Sequence, residues 1–160
     1  MNIVLAISVL LGYTIAMCIK GGGVPSSLSA SVFDLPKNQR WIWTVVLYAV
    51  VFLCVPTYLD KVSENTQFLA FIAMVGLAFV GAAPLVSDKT DMAYKVHCVD
   101  AVVCAVCSQQ VLVFNQPWLL LCWVPFVVAF VWVTKDKPWR TLVFWAEMVC
   151  IGSTFAFCLI

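Results

Sequence analysis

The stretch from residue 66 to residue 86, TQFLAFIAMVGLAFVGAAPLV, has no charged side chain. About 20 apolar residues in an α-helix cross a bilayer core about 30 Å thick, so this stretch is long enough to span a membrane. The sequence therefore predicts an all-α polytopic transmembrane bundle of six helices, a single domain over residues 1–160 with no soluble domain. The other five apolar runs lie at about 2–19, 41–59, 96–114, 117–133 and 141–160.

The composition supports a membrane protein and excludes two other classes. Hydrophobic residues make up 64% of the chain and charged residues 11%, and the charges gather between the apolar runs. A β-barrel is excluded because its strands alternate apolar and polar residues, and these runs do not alternate. A formal net charge of +1, without a long basic run, gives no electrostatic basis for binding nucleic acid. The lipid bilayer is the predicted partner.

The distribution of lysine and arginine predicts the orientation. With six spans, the loops at 20–40, 87–95 and 134–140 share one side of the membrane, and the other side has only Lys61. Because cytoplasmic loops retain positive charge, we expect a multi-pass protein of a cell membrane with these three loops in the cytoplasm and both termini outside, in the periplasm. Eight basic residues lie in the three loops: Lys20, Lys37, Arg40, Lys89, Lys95, Lys135, Lys137 and Arg140.

Small residues and prolines inside the spans predict how the helices pack. All eight cysteines lie in predicted spans, so we expect small packing residues rather than a disulfide framework. Ser8, Gly12 and Ala16 recur at four-residue spacing, a pattern that favours close approach of a neighbouring helix. Pro56 and Pro125 lie inside spans, and each predicts a bend in its helix.

Three ionisable side chains lie inside the predicted spans: His97, Asp100 and Glu147. A charge in hydrocarbon costs about 2.5–3.5 kcal/mol even on the scale with the lowest values, so such residues are expected to face the bundle interior. At about 100° per residue, His97 and Asp100 share one arc of the fourth helix, and Glu147 and Thr154 share one arc of the sixth. Asp100 and Glu147 are predicted to lie at similar depths, about 7 and 10 Å from the cytoplasmic side.

The two arcs predict a polar pocket in the cytoplasmic half of the bundle, between the fourth and sixth helices. The serine-rich first loop is positioned to close this pocket and supplies further candidates. We expect the pocket to bind a small solute or ion. The predicted pocket residues are His97, Asp100, Glu147, Arg140, Ser108 and Thr154, and the loop candidates are Ser27, Ser29 and Asp34.

A purely structural interpretation of the same charges stays open. Asp100 would pair with His97 or Lys95 on its own helix, and Glu147 would pair with Arg140 or a neighbouring helix. Polar side chains of this kind hold transmembrane helices together through hydrogen bonds. In that case the charged residues specify the assembly of the bundle, and they bind nothing.

A metal site is a weaker interpretation of the fourth helix. His97, Asp100 and Cys104 carry the imidazole, carboxylate and thiolate groups that bind zinc. The stripe from His97 to Cys107 extends over about 15 Å of helix, so one ion cannot touch both ends and another helix would have to contribute. We therefore expect no metal and no cofactor.

Sequence motifs of catalysis are missing from the chain. It has no HExxH, GxSxG or P-loop motif, and a single histidine does not suit a hydrolase with several histidine ligands. A Ser/His pair would depend on His97 and a loop serine, with no spacing to support it. No catalytic residue is predicted, and enzymatic activity is the less favoured interpretation.

Short strings over most of the chain carry a resemblance. The chain resembles small multi-helix membrane proteins of gut Bacteroidetes that have a PSSLSA-type loop. The resemblance implies a bacterial cytoplasmic membrane and an important serine-rich loop, and it implies no activity or site residue. The strings are Gly21-Gly22-Gly23, Pro25-Ser26-Ser27-Leu28-Ser29-Ala30, Trp41-Ile42-Trp43, Gln67-Phe68-Leu69-Ala70-Phe71, Gly81-Ala82-Ala83-Pro84 and Val96-His97.

Three functions are compatible with these features. We favour transport or permeation of a small solute or proton through the polar pocket, with His97 the natural group to titrate near neutral pH. The alternative is a non-catalytic accessory or assembly subunit whose polar residues only specify helix pairing. A weaker alternative is an intramembrane enzyme that acts on lipid. Six helices barely enclose a pathway, so transport would favour a homo-oligomer.

Overall fold

The computed structural model describes residues 2–86, 91–134 and 140–160, and the side chains of residues 85, 86 and 91–94 lie outside that description. The described chain is helical and contains no strand, which confirms the predicted all-α bundle. The α-helices are α1 Asn2–Gly21, α2 Trp41–Lys61, α3 Gln67–Val86, α4 Asp91–Asn115, α5 Trp123–Val133 and α6 Leu142–Leu159, and the 3₁₀ segments are Ala30–Asp34, Lys37–Gln39, Glu64–Thr66 and Pro117–Cys122.

Five helical stretches are long and apolar enough to cross a membrane, so the chain is a multi-pass membrane protein. The fifth predicted span, Pro117–Val133, is shorter and changes from 3₁₀ to α-helix at Trp123. Because a 3₁₀-helix rises about 2.0 Å per residue instead of 1.5 Å, this segment still extends roughly 28 Å. The five long stretches are Asn2–Gly21, Lys37–Lys61, Glu64–Pro84, Lys95–Asn115 and Leu142–Leu159.

One end of the bundle is defined by contacts around residues 26–31, which we call the serine loop. The Phe144 amide, at the start of α6, donates to the Ser26 carbonyl at 3.1 Å. Trp43 Nε1, at the start of α2, donates to the Val80 carbonyl near the end of α3 at 3.3 Å. The starts of α2 and α6 and the end of α3 therefore lie together at the serine-loop end.

The opposite end joins the other helix termini. Asn115 Nδ2, at the end of α4, donates to Thr66 Oγ1, just before α3, at 2.9 Å. The rings of Tyr58 in α2 and Phe157 in α6 have their centres 5.8 Å apart. Since α4 ends here and α6 begins at the serine-loop end, the segment 117–133 runs between the two ends. The described chain therefore has six apolar helical segments, and five of them are long enough to span a membrane.

The end of α3 and the start of α6 border two of the three predicted cytoplasmic loops, and both lie at the serine-loop end. Lys95 and Arg140 are exposed. Lys89, Lys135 and Lys137 lie in the segments 87–90 and 135–139, outside the described residues. The side of the membrane on which the serine-loop end lies stays a prediction from the charge distribution.

Glycines let α3 approach both of its neighbours closely. A Cβ added at Gly76 would lie 3.1 Å from the Asp100 carbonyl oxygen and 3.2 Å from Cys104 Cβ, both in α4. A Cβ added at Gly81 would lie 3.0 Å from Leu47 Cβ in α2. Small residues at such crossings allow backbones to pack closely in membranes. As a result, one face of α4 is turned toward α3 rather than toward α6.

The structure shows where the small-residue stripe of α1 and Pro125 of α5 lie. Ser8, Gly12 and Ala16 are exposed, and a Cβ added at Gly12 meets no atom within 4 Å, so this stripe does not pack on another described helix, and the close approach of a neighbouring helix there stays a prediction. The buried face of α1 is instead the one that carries Tyr13. Pro125 is the third residue of α5 and follows the change from 3₁₀ to α-helix at Trp123. The first amides of an α-helix have no partner within the helix, so a proline at this position removes no helix hydrogen bond.

The outer surface of the bundle suits lipid. Trp132, Phe52 and Phe68 expose most of their side-chain area, although each is large and apolar. A soluble monomer rarely exposes such residues over a wide surface. Exposure of these side chains to water is unfavourable, whereas exposure to hydrocarbon is not. The surface is therefore compatible with a lipid bilayer.

Candidate functional site at the serine loop

The serine loop folds into the bundle. Leu28 and Ser31 are each 1% exposed. Ser31 Oγ donates to the Leu28 carbonyl at 2.6 Å and lies 3.2 Å from the Tyr13 hydroxyl of α1. Gly22, at φ 68°, ends α1 in the left-handed conformation that glycine adopts without strain, and this turns the chain back toward the bundle. The loop is thus a packed part of the protein.

Glu147, in the second turn of α6, accepts hydrogen bonds from this loop. Ser29 Oγ donates to Oε1 at 2.7 Å, and the Leu28 amide donates to Oε2 at 2.5 Å. Ser27 Oγ lies 3.0 and 3.1 Å from the two carboxylate oxygens and also accepts from the Ala30 amide at 3.1 Å. Two hydroxyls and one amide therefore surround a single carboxylate.

The start of α6 holds the same loop through its backbone. An α-helix leaves its first amides without a partner inside the helix. The Phe144 amide is one of these, and it donates to the Ser26 carbonyl at 3.1 Å. Together with the bonds to Glu147, this contact fixes the loop against two successive turns of α6.

The groups that bond to Glu147 leave its charge without a counter-charge. Its hydrogen-bond donors among the described residues are two hydroxyls and one backbone amide, which are all neutral. Hydrogen bonds to a charged acceptor are stronger than those between neutral groups, so the donors stabilise the carboxylate without cancelling its charge. The site can therefore still take a positive group.

A cavity of about 310 Å³, which we call the large cavity, lies beside Glu147. The only side-chain oxygens in its described wall belong to Glu147 and Ser29, both at the serine-loop end. The rest of the wall is aliphatic, aromatic or thiol. It consists of Leu28, Trp43, Leu47, Leu77, Val80, Ala101, Val102, Cys104, Ala105, Trp123, Val143, Ala146, Cys150 and Ile151.

His97 is held against α3 by an acceptor that Pro84 makes available. Proline has no amide hydrogen, so the carbonyl four residues earlier in α3, that of Val80, has no helix partner. The His97 imidazole bonds to this carbonyl, and Trp43 Nε1 donates to it at 3.3 Å. Because His97 Nδ1 has no hydrogen-bond partner among the described residues, Nε2 is the ring nitrogen that donates to this carbonyl. His97 is 4% exposed as a result.

Asp100 follows His97 by one turn of α4. Its Oδ2 is buried and has no hydrogen-bond partner among the described residues, and its backbone carbonyl faces Gly76 of α3. Neither Asp100 nor His97 lines the large cavity. The structure thus places Glu147 in the cavity wall and puts His97 and Asp100 beside α3.

The remaining predicted residues occupy separate places. Arg140 and Asp34 are exposed, and Glu147 bonds to the serine loop rather than to Arg140. Ser108 and Thr154 line a second cavity of about 50 Å³, which we call the small cavity. The six predicted pocket residues are therefore not gathered around one point.

Gln109 of α4 forms a polar cluster that the sequence prediction omitted. Its Nε2 lies 3.3 Å from the Cys150 carbonyl and from Ser153 Oγ, both in α6. Its Oε1 accepts from Trp123 Nε1 at 2.8 Å, so the side chain joins α4, α5 and α6. The sequence prediction considered the ionisable side chains inside the spans, and Gln109 is neutral. An amide in the middle of a span is nevertheless a signal for an interhelical hydrogen bond.

Metal binding and relationships to known proteins give no further guide. Within residues 2–86, 91–134 and 140–160, no group of three or more His, Cys, Asp or Glu side chains is arranged to hold a metal ion. All eight cysteines are free. No protein-family model, curated protein or solved structure matches the chain. The geometry around Glu147 is therefore the basis for a functional proposal.

Proposed function

We propose that the protein transports a small amphiphilic cation, whose apolar part occupies the large cavity and whose charged group binds Glu147. The observation that carries the proposal is a cavity of about 310 Å³ with a mainly apolar wall and one carboxylate at its end. The apolar wall favours hydrocarbon, and the carboxylate favours a positive charge. This narrows the small solute expected from the sequence to one chemical class.

The size of the cavity supports a small ligand, and the charge supplies its selectivity. A volume of about 310 Å³ is at the lower end of the range for small-molecule pockets. A ligand that leaves lipid for an apolar cavity gains little from hydrophobic transfer, because lipid tails are as apolar as the wall. Glu147 is therefore the group that would distinguish a cationic amphiphile from the surrounding lipid.

The edge of the cavity supports entry from the bilayer. Val102 of α4 and Val143 of α6 both line the cavity, and both expose more than half of their side-chain area. Exposed residues of a membrane protein at this depth face lipid. A ligand already dissolved in the bilayer would therefore enter between α4 and α6 and meet Glu147 without crossing water.

A fully polar solute or a proton fits the cavity less well. A pathway for either would need polar groups or water along its whole length, because an unpaired charge in an apolar region is costly. On the side of α3 and α4, the wall consists of residues such as Leu77, Val80 and Ala101. A polar pathway between subunits of a homo-oligomer stays a prediction from the sequence.

We place the serine-loop end in the cytoplasm of a bacterial cell, with both termini in the periplasm. The distribution of eight basic residues against one supports this orientation. Glu147 would then lie in the cytoplasmic half of the membrane. A potential that is negative inside favours movement of a cation toward that side by about 2.3 kcal/mol per 100 mV.

The test uses decyltrimethylammonium, a cation that cannot lose its charge by deprotonation. The protein is reconstituted into phospholipid vesicles, and uptake of the radiolabelled probe is measured for wild type, Glu147→Gln and Glu64→Gln. Glu64 is exposed between α2 and α3, so its substitution removes the same charge outside the cavity. We expect Glu147→Gln to lower protein-dependent uptake by about tenfold, equivalent to the loss of about 1.4 kcal/mol, and Glu64→Gln to have no effect.

A second variant tests the cavity without touching the carboxylate. Ala105→Leu fills part of the cavity wall and should also lower uptake, whereas Ala16→Leu on the exposed face of α1 should not. Equal uptake of anionic decyl sulfate, or normal uptake by Glu147→Gln, would contradict the proposal. If the wild type takes up no probe and Glu147→Gln changes only stability, the accessory or assembly subunit becomes the better interpretation.

A further inference from the structure

The wall of the small cavity includes a tyrosine whose hydroxyl has no hydrogen-bond partner among the described residues. This residue is Tyr58, and its side chain is 0% exposed. Tyr58 lines the small cavity together with Ser108 and Thr154, so the hydroxyl and these two side chains border the same space. A buried hydroxyl without a partner destabilises a fold by about 1–3 kcal/mol, which calls for an explanation.

Two other hydroxyls in the cavity wall leave only acceptor positions free. Ser108 Oγ donates its hydrogen to the Ala105 carbonyl at 3.0 Å. Thr154 Oγ1 donates its hydrogen to the Cys150 carbonyl at 2.9 Å. A hydroxyl has one hydrogen and two lone pairs, so each oxygen can still accept a bond but cannot donate a second one.

We infer that the small cavity binds water, and that one water molecule bridges Tyr58 to Ser108 and Thr154. A water molecule accepts one hydrogen from Tyr58 and donates its own two hydrogens to the oxygens of Ser108 and Thr154. Ser108 Oγ also lies 3.5 Å from Cys150 Sγ, which leaves at least one of its two lone pairs free. The three hydroxyls of the described wall thus offer one free donor and two free acceptors, which is the complement of that pattern. Buried waters in proteins make about three such bonds.

The volume of the cavity agrees with this occupant. A buried water needs about 10–15 Å³ of volume open to the centre of a water-sized sphere, and the small cavity offers about 50 Å³ of such volume. An apolar cavity of that size would stay dry, but this one has three hydroxyls in its wall. The small cavity shares Leu47, Cys104 and Cys150 with the large one, so the proposed water site is next to the proposed ligand site.

A double-mutant cycle tests the bridge without any ligand. The folding equilibrium of wild type, Tyr58→Phe, Thr154→Val and the double variant is measured by SDS titration in mixed micelles. We expect each single substitution to lower the folding constant about tenfold, and the double variant to lower it much less than a hundredfold, because both remove the same bridge. Tyr48→Phe, on the exposed face of α2, is the control and should have no effect.

Two results of the double-mutant cycle would overturn the inference. If Tyr58 truly lacks a partner, removal of its hydroxyl leaves the folding constant unchanged or raises it. Fully additive effects of the two substitutions would likewise show that no shared water joins them. Either result contradicts the bridge.

A spectroscopic measurement keeps the inference testable if a variant fails to fold. The infrared spectrum of the wild-type protein is recorded in ordinary water and in H₂¹⁸O. A bridging water gives an O–H stretching band of a buried molecule that shifts to lower frequency with the heavy isotope. A wild-type spectrum without such a band would overturn the inference, and loss of the band in folded Tyr58→Phe would support it.

Discussion

Two polar clusters lie on α6, roughly 9 Å apart along the helix, and they are built in different ways. The Glu147 cluster joins α6 to a loop, carries a charge and borders the large cavity. The Gln109 cluster, with Ser153, joins α6 to two other helices, is neutral and lies between them. Both clusters contain polar side chains that are costly in hydrocarbon. They differ in the hydrogen-bond partners that offset this cost.

The comparison separates helix pairing from ligand binding. Gln109 both donates and accepts, and its partners on α5 and α6 supply the matching groups. Glu147 only accepts, and its donors leave the negative charge in place. The polar groups of the Gln109 cluster pair with one another, so that cluster needs no ligand. The Glu147 cluster is charged and borders the large cavity, so it favours a ligand of opposite charge.

The largest effect is expected when Glu147 is replaced by alanine. The Leu28 amide then loses its carboxylate acceptor, a bond that contributes about 2 kcal/mol, so its hydrogen exchange should become about thirtyfold faster. Hydrogen exchange resolved by mass spectrometry on the peptide containing Leu28 measures this. Gln109→Leu is the matched control. Identical exchange of Leu28 in wild type and Glu147→Ala would show that the carboxylate does not hold the loop.

A smaller effect is expected for Gln109→Leu. Loss of its bonds to Trp123, Cys150 and Ser153 should destabilise the bundle by about 1 kcal/mol, since interhelical bonds in membranes average about 0.6 kcal/mol each. SDS titration measures this, with Gln110→Leu, one residue along and exposed, as the control. Uptake of decyltrimethylammonium should stay at the wild-type level. A selective loss of uptake would contradict the assignment of this cluster to helix pairing.

The smallest effect is expected at the glycine that sets the position of α4. Gly76→Ala puts a methyl group 3.1 Å from the Asp100 carbonyl oxygen. Overpacking by about 1.5 kcal/mol, less a gain of about 1 kcal/mol in helix propensity, leaves a net destabilisation of about 0.5 kcal/mol. Gly12→Ala meets no atom and should show the propensity gain alone. Thermal unfolding of both variants measures the difference, and shifts of the same sign would contradict the close approach.

The sequence predicted the helical class and the six helices because length and apolar character are sufficient for both. It also predicted Glu147 as an inward-facing acid and the serine-rich loop as the segment near it. The structure has Ser27 and Ser29 bonded to that acid. These predictions depend on the cost of a charge in lipid, which one sequence expresses directly.

The neighbours of α4 could not be predicted from the sequence. Helical periodicity places His97 and Asp100 on one face but does not say which helix that face meets. Gly76 turns that face toward α3, so the two residues lie there and do not share the large cavity with Glu147. The 3₁₀ stretch after Pro117 was equally hidden, because apolar composition does not distinguish the two helix types.

The proline in α3 also has a consequence for the order of biosynthesis. The Val80 carbonyl, which has no partner within α3, is the acceptor for His97, so the histidine of α4 finds its acceptor only after α3 is in place. We expect α3 and α4 to leave the translocon as a hairpin, with the more apolar segment first. The ribosome delivers them in that order, so the less apolar helix enters a membrane where its histidine already has a partner.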